Sequence, residues 1–129
     1  MPLRIVRLGS ARHPDEGPRL GTVRRPPRGV RKKDYARENH FDLWFPDLAP
    51  SPALFKWIKT RPLTAQTWTT FSKRYRREMR APEAQRLIAL VALMSKHANF
   101  SVGCYCEDES RCHRSLLRRI LEEEGANLV

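Results

Sequence analysis

Apolar side chains recur along this chain with two different periods, and the alternation between them predicts its elements. "RIVRLGS", from Arg4 to Ser10, sets Ile5, Val6 and Leu8 in a short apolar run stopped by Gly9, the pattern of a buried strand leading into a loop. "HFDLWFPDL" alternates, with Phe41, Leu43 and Phe45 on one side and Asp42 and Trp44 on the other, so a second strand is expected up to Pro46. The period then lengthens. Ser51 before Pro52 has the form of a cap followed by a first-turn proline, and Leu54, Phe55, Trp57 and Ile58 give the helix behind it an apolar stripe. Thr64 is a cap for a second helix carrying Trp68, Phe71, Tyr75 and Met79. From Pro82, Leu87, Ile88, Val91, Met94 and the alanines between them are apolar almost all round, so the third helix is expected to be largely buried. "NFSVGCYCED" predicts a third strand. A last helix begins near Cys112, capped by Asp108 or Ser110, with His113, Leu116, Leu117, Ile120 and Leu121 on one face and Gly125 as its stop.

Strands separated by helices predict an α/β fold: a small, mostly parallel sheet flanked by helices, in a single compact domain over residues 1–129. Between the first two strands lies a basic loop rich in proline and glycine, at about residues 11–37. A loop of that length inside a compact domain is either functional or disordered, and Val23 is placed in it as part of a possible short strand. A chain of 129 residues can bury a core without metals or disulfides to staple it. No apolar run approaches the roughly 18 residues of a membrane span, and the start has no signal-peptide pattern, so no membrane partner and a cytoplasmic location are expected.

Charge narrows the partners. The net charge is +11, and most of the excess falls in the first third of the chain. That asymmetry points to polyanions, either nucleic acid or phosphorylated small molecules, although a solvated basic surface would look the same.

The chemistry is concentrated in "GCYCEDESRCHRSLL", which holds all three cysteines and His113. Four readings stand open for it: a metal cage, a thiol active site, a ligand-binding turn, and an ordinary core strand followed by a helix. In an open α/β sheet the strand's carboxyl end and the following helix N-terminus form the usual site, where free N–H groups and a partial positive charge favour anions. Arg111 and Arg114 at that positive end are disfavoured unless an anion offsets them, supplied either by Glu107, Asp108 and Glu109 or by a bound phosphate or carboxylate. Cys112, beside His113 and two arginines, has the neighbours that lower a thiol pKa, and Cys106 across the turn is its resolving or substrate-orienting partner. Cys104 is expected in the core. The spacing C-x-C-x5-C-H departs from the paired C-x2–4-C of structural zinc sites. On a regular strand the Cα atoms of Cys104 and Cys106 would stand about 6.7 Å apart, too far for their sulfurs to converge easily. Adjacent helical Cys112 and His113 would also point apart, so neither metal nor cofactor is assigned.

The blocks "RPPRGVRKKDY", "FDLWFPDLAPSPALFKWI", "FSKRYRREM" and "SVGCYCEDESRCHRSLL", in this order over about residues 24–121, resemble the YeaO-like branch of domain-of-unknown-function family 488. The resemblance implies a small bacterial or archaeal cytosolic α/β domain and assigns no activity. Its marked positions fall on Arg28 and Gly29, Asp42 and Trp44, Leu48 to Ser51, and Cys106, Cys112, His113 and Arg114. Taken with the residues' own chemistry, the expectation is a pocket at the end of the third strand. Cys112, Cys106 and His113 carry any catalysis there, Cys112 as nucleophile or redox thiol, while Arg114, Arg28, Gly29, Asp42 and Trp44 bind an anionic, phosphate-bearing ligand. The alternative is a non-catalytic basic module that binds nucleic acid or a nucleoprotein partner through residues 12–37 and 73–80. Oligomeric state is not legible.

Overall fold

A computed structural model of the chain describes residues 2–106 and 112–129. Four strands, β1 (Leu3–Arg7), β2 (Arg19–Gly21), β3 (Leu43–Trp44) and β4 (Phe100–Cys104), form one sheet in the order β1-β4-β2-β3, and every pairing is parallel. Four helices complete the α/β fold: α1 (Pro52–Lys59), α2 (Ala65–Glu78), α3 (Pro82–Met94) and α4 (His113–Glu123). Among the described residues no helix is long and apolar enough to cross a membrane.

Three expectations about the sheet are corrected. Within the basic loop, Arg19–Gly21 pairs with β4 as a strand of its own, while Val23 lies just beyond it. The expected strand over Phe41–Phe45 is ordered as only two residues at the sheet edge, where Leu43 is 54% exposed rather than facing the core. The cysteine strand ends at Cys104, before Tyr105 and Cys106. β4 is central and buried at all five residues, because helices cover one face and the loop the other.

Helix termini follow the capping chemistry of the sequence. The Ser51 hydroxyl oxygen accepts the Leu54 N–H at the start of α1, and Glu78 at the end of α2 accepts both the Ser51 N–H and its hydroxyl, tying the two helices together. Thr64 and Thr67 form a reciprocal capping box for α2. At the end of α4, Gly125 takes φ 87°, and the N–H groups of Gly125 and Ala126 return to the carbonyls of Glu122 and Leu121 in a Schellman arrangement. The chain end then pairs with β1, Leu3 donating to Asn127 and Val129 to Leu3. The N-cap position of α4 is Cys112 rather than Asp108 or Ser110, which lie outside the described residues. α3 differs from its expected burial: Ala84, Ile88, Val91 and Ala92 are buried, but Leu90, Leu93 and Met94 face out. One core joins side chains of all four helices to Leu3, Phe100 and Val102 of the sheet. Within it the Tyr75 hydroxyl donates to the Leu48 carbonyl.

The other face of the sheet carries polar groups. Arg19 and Ser101 are register partners and so point the same way. The Arg19 guanidinium, 1% exposed, pairs with Glu16 and donates to the carbonyls of Ser10, Ala11 and Asn39. Ser101 donates to the same carboxylate. Asp42 accepts the backbone N–H of Arg19 and an N–H of Arg12, fastening the far end of the loop. A second, smaller core of Leu8, Val23, Phe41, Cys104 and Cys112 gathers at the carboxyl end of the sheet. Gly21 is required there, since a Cβ at that position would stand 2.3 Å from the Phe41 ring.

Burial alone would raise the Glu16 carboxyl pKa, but hydrogen bonds from Arg19, the His13 backbone and Ser101 outweigh it and hold the pKa below the usual carboxylate range. The resulting stabilisation is complete above the unfolded-chain value and is lost as pH falls through the folded one. Glu16→Ala is therefore expected to cost about 3–5 kcal/mol in urea unfolding at neutral pH, because it leaves a buried guanidinium unpaired. The gap between variant and wild type should narrow in acid. A variant within 1 kcal/mol of wild type at neutral pH would count against this role.

Candidate functional site

The carboxyl ends of β2 and β4 and the first turn of α4 meet at the cysteines. The Gly103 carbonyl accepts from both the N–H and the hydroxyl of Thr22, and the Cys104 carbonyl from the N–H of Leu8. The chain then leaves the sheet, with the Tyr105 hydroxyl hydrogen-bonded to His40 Nδ1 at 2.9 Å. The Cys106 carbonyl accepts the guanidinium of Arg114, which folds the segment back toward the helix.

Both geometric arguments against convergence of the sulfurs fail here, for one reason: neither pair sits in regular structure. Cys106 lies beyond the strand, so the extended spacing does not apply. Cys112 is extended, at φ −128° and ψ 151°, so its side chain does not follow the helical direction of His113. The Sγ atoms of Cys104, Cys106 and Cys112 all lie within 4.8 Å of one another, and those of Cys104 and Cys112 are 2.6 Å apart. Among the described residues this is the one cluster with the donors and spacing to hold a metal ion. His113 Nε2 lies 2.7 Å from the Thr22 carbonyl, which can only accept, so the proton is on Nε2. Nδ1 is then an open lone pair, 3.7 Å from Cys112 Sγ.

Burial divides the three thiols. Cys104 and Cys112 are each 2% exposed, whereas Cys106 is open to solvent. Hydrogen bonds from Cys104 and then Cys112 pull the Cys106 pKa far below the ordinary thiol range, against the cost of its partial burial and with help from the Lys59 charge. The Cys104 thiol is pushed up by its hydrogen bonds to Cys106 and Cys112 and by burial. For Cys112, the hydrogen bond with Cys104 favours the thiolate, but the bond to Cys106, burial and the neighbouring charge outweigh it, raising the pKa. The cluster therefore gives up its first proton at Cys106. Burial lowers the His113 pKa and keeps the ring neutral.

All three cysteines and His113 line a cavity of about 410 Å³, the size of a small-ligand pocket. Its other walls are apolar, from Phe55, Ile58, Leu63, Trp68 and Phe71, and three cations stand among them: Arg24, Arg25 and Lys59. Arg24 is held by the carbonyls of Pro50 and Pro46. Arg25 and Lys59 lie over the Phe55 ring, at 5.9 and 5.4 Å from its centroid.

Of the residues singled out from sequence, Cys106, Cys112 and His113 are brought together and the ligand-binding set is not. Arg114 is 4% exposed and holds backbone beside the site instead of lining the cavity; its Nε has no hydrogen-bond partner among the described residues. Arg28 and Gly29 occupy an exposed turn, with Gly29 at φ 73°. Asp42 fastens the loop to Arg19, and Trp44 donates its indole N–H to the Val23 carbonyl. Arg111 and the acidic residues 107–109 lie outside the described residues. Sequence reasoning missed Arg24, Arg25 and Lys59 as site cations. The pair "RR" directly after the buried run Gly21, Thr22 and Val23 was the available signal, but it is legible only once β2 is known to be a strand.

A sequence model described as the active DUF488-N3 subclade, DUF488-N3a, matches residues 3–125 of the chain. No curated protein and no solved structure matches it.

Iodoacetamide on the folded, reduced protein is expected to label Cys106 alone, at a rate nearly flat from about pH 6 to 9, because its thiolate is already formed. Cys104 and Cys112 should label only after unfolding. Mass spectrometry of quenched samples checks both, and a Cys106 rate that climbs about tenfold per unit through pH 8 would contradict the thiolate assignment.

Proposed function

The chain belongs to the DUF488-N3a family, the active DUF488-N3 subclade, and from that premise we propose a thiol site acting on a ligand with an apolar body and an anionic, phosphate-type group. The observation that carries this reading is the exposed residue Cys106 lining a cavity walled by aromatic side chains and edged by Arg24, Arg25 and Lys59. The apolar body lies against Phe55, Trp68 and Phe71. The anionic group meets Arg25 and Lys59, whose charged ends are not committed to carboxylates among the described ion pairs.

In this reading Cys106 is the reacting thiol. Its sulfur forms a bond to an electrophilic atom of the ligand as that atom's bond to its leaving group breaks, and the leaving group departs with the electron pair. Cys104 and Cys112 direct hydrogen bonds at the sulfur, and Cys112 acts as a donor rather than as the nucleophile. Arg114 is a positioning residue, holding the Cys106 carbonyl so that the sulfur faces the cavity.

The test compares two haloacetamide reagents on metal-free protein, one attached to an aromatic phosphate and the other to the neutral phenol. The phosphate reagent should label Cys106 about ten- to a hundredfold faster, as expected of a hydrogen bond to a charged group worth roughly 1.5–3 kcal/mol. Lys59→Ala and Arg25→Ala should each erode that advantage without slowing the neutral reagent. Equal rates for the two reagents would end the proposal.

A further inference from the structure

The close approach of the sulfurs carries a second consequence, beyond the ligand reading: we infer that Cys104, Cys106, Cys112 and His113 form a binding site for a thiophilic divalent cation of the zinc class. Zinc–sulfur bonds of about 2.3 Å around a tetrahedral ion place sulfurs roughly 3.8 Å apart, and zinc–nitrogen bonds of about 2.0–2.1 Å give a sulfur–nitrogen edge of roughly 3.5 Å. The three sulfurs here lie within 4.8 Å of one another, and His113 Nδ1 is 3.7 Å from Cys112 Sγ. An ion between them spreads the close Cys104–Cys112 pair by roughly 1 Å and draws Cys106 and His113 inward.

His113 supplies the independent observation. It stands outside the 4.8 Å sulfur group, yet it has the outer contact of a metal-binding histidine: Nε2–H donates to the backbone carbonyl of Thr22, fixing the ring and leaving Nδ1 without a proton on the side of Cys112. The surroundings suit the charge as well. Three thiolates around a divalent ion leave a net negative centre, beside the Arg24, Arg25 and Lys59 cations of the cavity and the buried Arg114 guanidinium at the Cys106 carbonyl. Soft thiolate donors select zinc-class ions over magnesium or calcium. With the ion bound, the Cys106 sulfur is committed to it, so metal and thiol reactivity exclude each other.

The experiment uses the full chain, reduced and stripped with a chelator, then titrated with Co2+ and with Zn2+. One equivalent of Co2+ should produce intense sulfur-to-cobalt absorption in the near ultraviolet together with the visible bands of a tetrahedral ion. One equivalent of Zn2+ should abolish that absorption and slow iodoacetamide labelling of Cys106 at least tenfold. Cys106→Ser, an exposed position whose change should leave the fold intact by circular dichroism, should weaken Co2+ binding by roughly a hundredfold or more, and His113→Asn by about tenfold or more. Absence of the charge-transfer band at one equivalent, or undiminished binding by Cys106→Ser, overturns the site; undiminished binding by His113→Asn overturns the four-donor assignment. Labelling of the metal-free protein by the phosphate reagent is read separately, so failure of the cation site and failure of the ligand reading are distinguishable.

Discussion

The buried guanidinium of Arg19 is the constraint on which the rest of the molecule depends. The loop between β1 and β3 would otherwise have little reason to lie on the sheet, since it is rich in proline and charge and poor in large apolar residues. Arg19 presents its donors in a planar fork and fills them with the Glu16 carboxylate and with carbonyls from both ends of the loop, Ser10 and Ala11 on one side and Asn39 on the other. A lysine could not hold three segments in one plane. Burying such a pair is costly in itself, so its value lies in specifying one arrangement of the loop more than in net stability.

That arrangement decides where the site is. With the loop fastened, β2 pairs with β4 and the chain leaving it, Thr22 to Arg25, runs along the carboxyl edge of the sheet. The Thr22 carbonyl receives the His113 proton, Val23 packs beside Cys104 and Cys112, and Arg24 and Arg25 become walls of the cavity. The electrostatics of a loop and the geometry of a cysteine cluster some 80 residues later in the chain are thus one problem.

What was legible in the sequence follows from this. Helices were readable because their signals are local: Ser51 with Pro52, Thr64 with its apolar spacing, and Gly125 as a stop all act within one turn of the chain. β1 and β4 were readable as apolar runs. β2 was not, because three residues with an arginine and a glycine carry no apolar signature, and Arg19 is buried through partners from Ser10 to Asn39 that no local window joins. Leu43 misled for the complementary reason: alternation shows that two faces differ, but not that either is covered, and at an edge strand the outer one stays in water. The location of the candidate site at the strand end and helix start was legible from fold logic. The grouping within it was not, because regular spacing was carried two residues past the point where the strand stops.

The end of β4 at Cys104 has its own physical cause, and it accounts for the inequality among the thiols. Gly103 allows β4 to lie close against β1, since a Cβ there would meet the Val6 carbonyl at 2.5 Å, and the Cys104 carbonyl is taken by Leu8. β1 turns away at Gly9, so beyond Cys104 the central strand has no neighbour on that side to continue the ladder, and the chain must find other acceptors and donors. Arg114 provides one by binding the Cys106 carbonyl. The bend that results leaves Cys104 buried at the end of the sheet, returns the exposed Cys106 to its vicinity, and lets the extended Cys112 complete the group. Two thiols in an apolar setting are poor sites for charge, and the third, in contact with both and open to water, is the place where charge accumulates. A regular strand would have kept Cys104 and Cys106 nearly 7 Å apart and made three separate thiols. Interruption of the strand makes them one chemical unit.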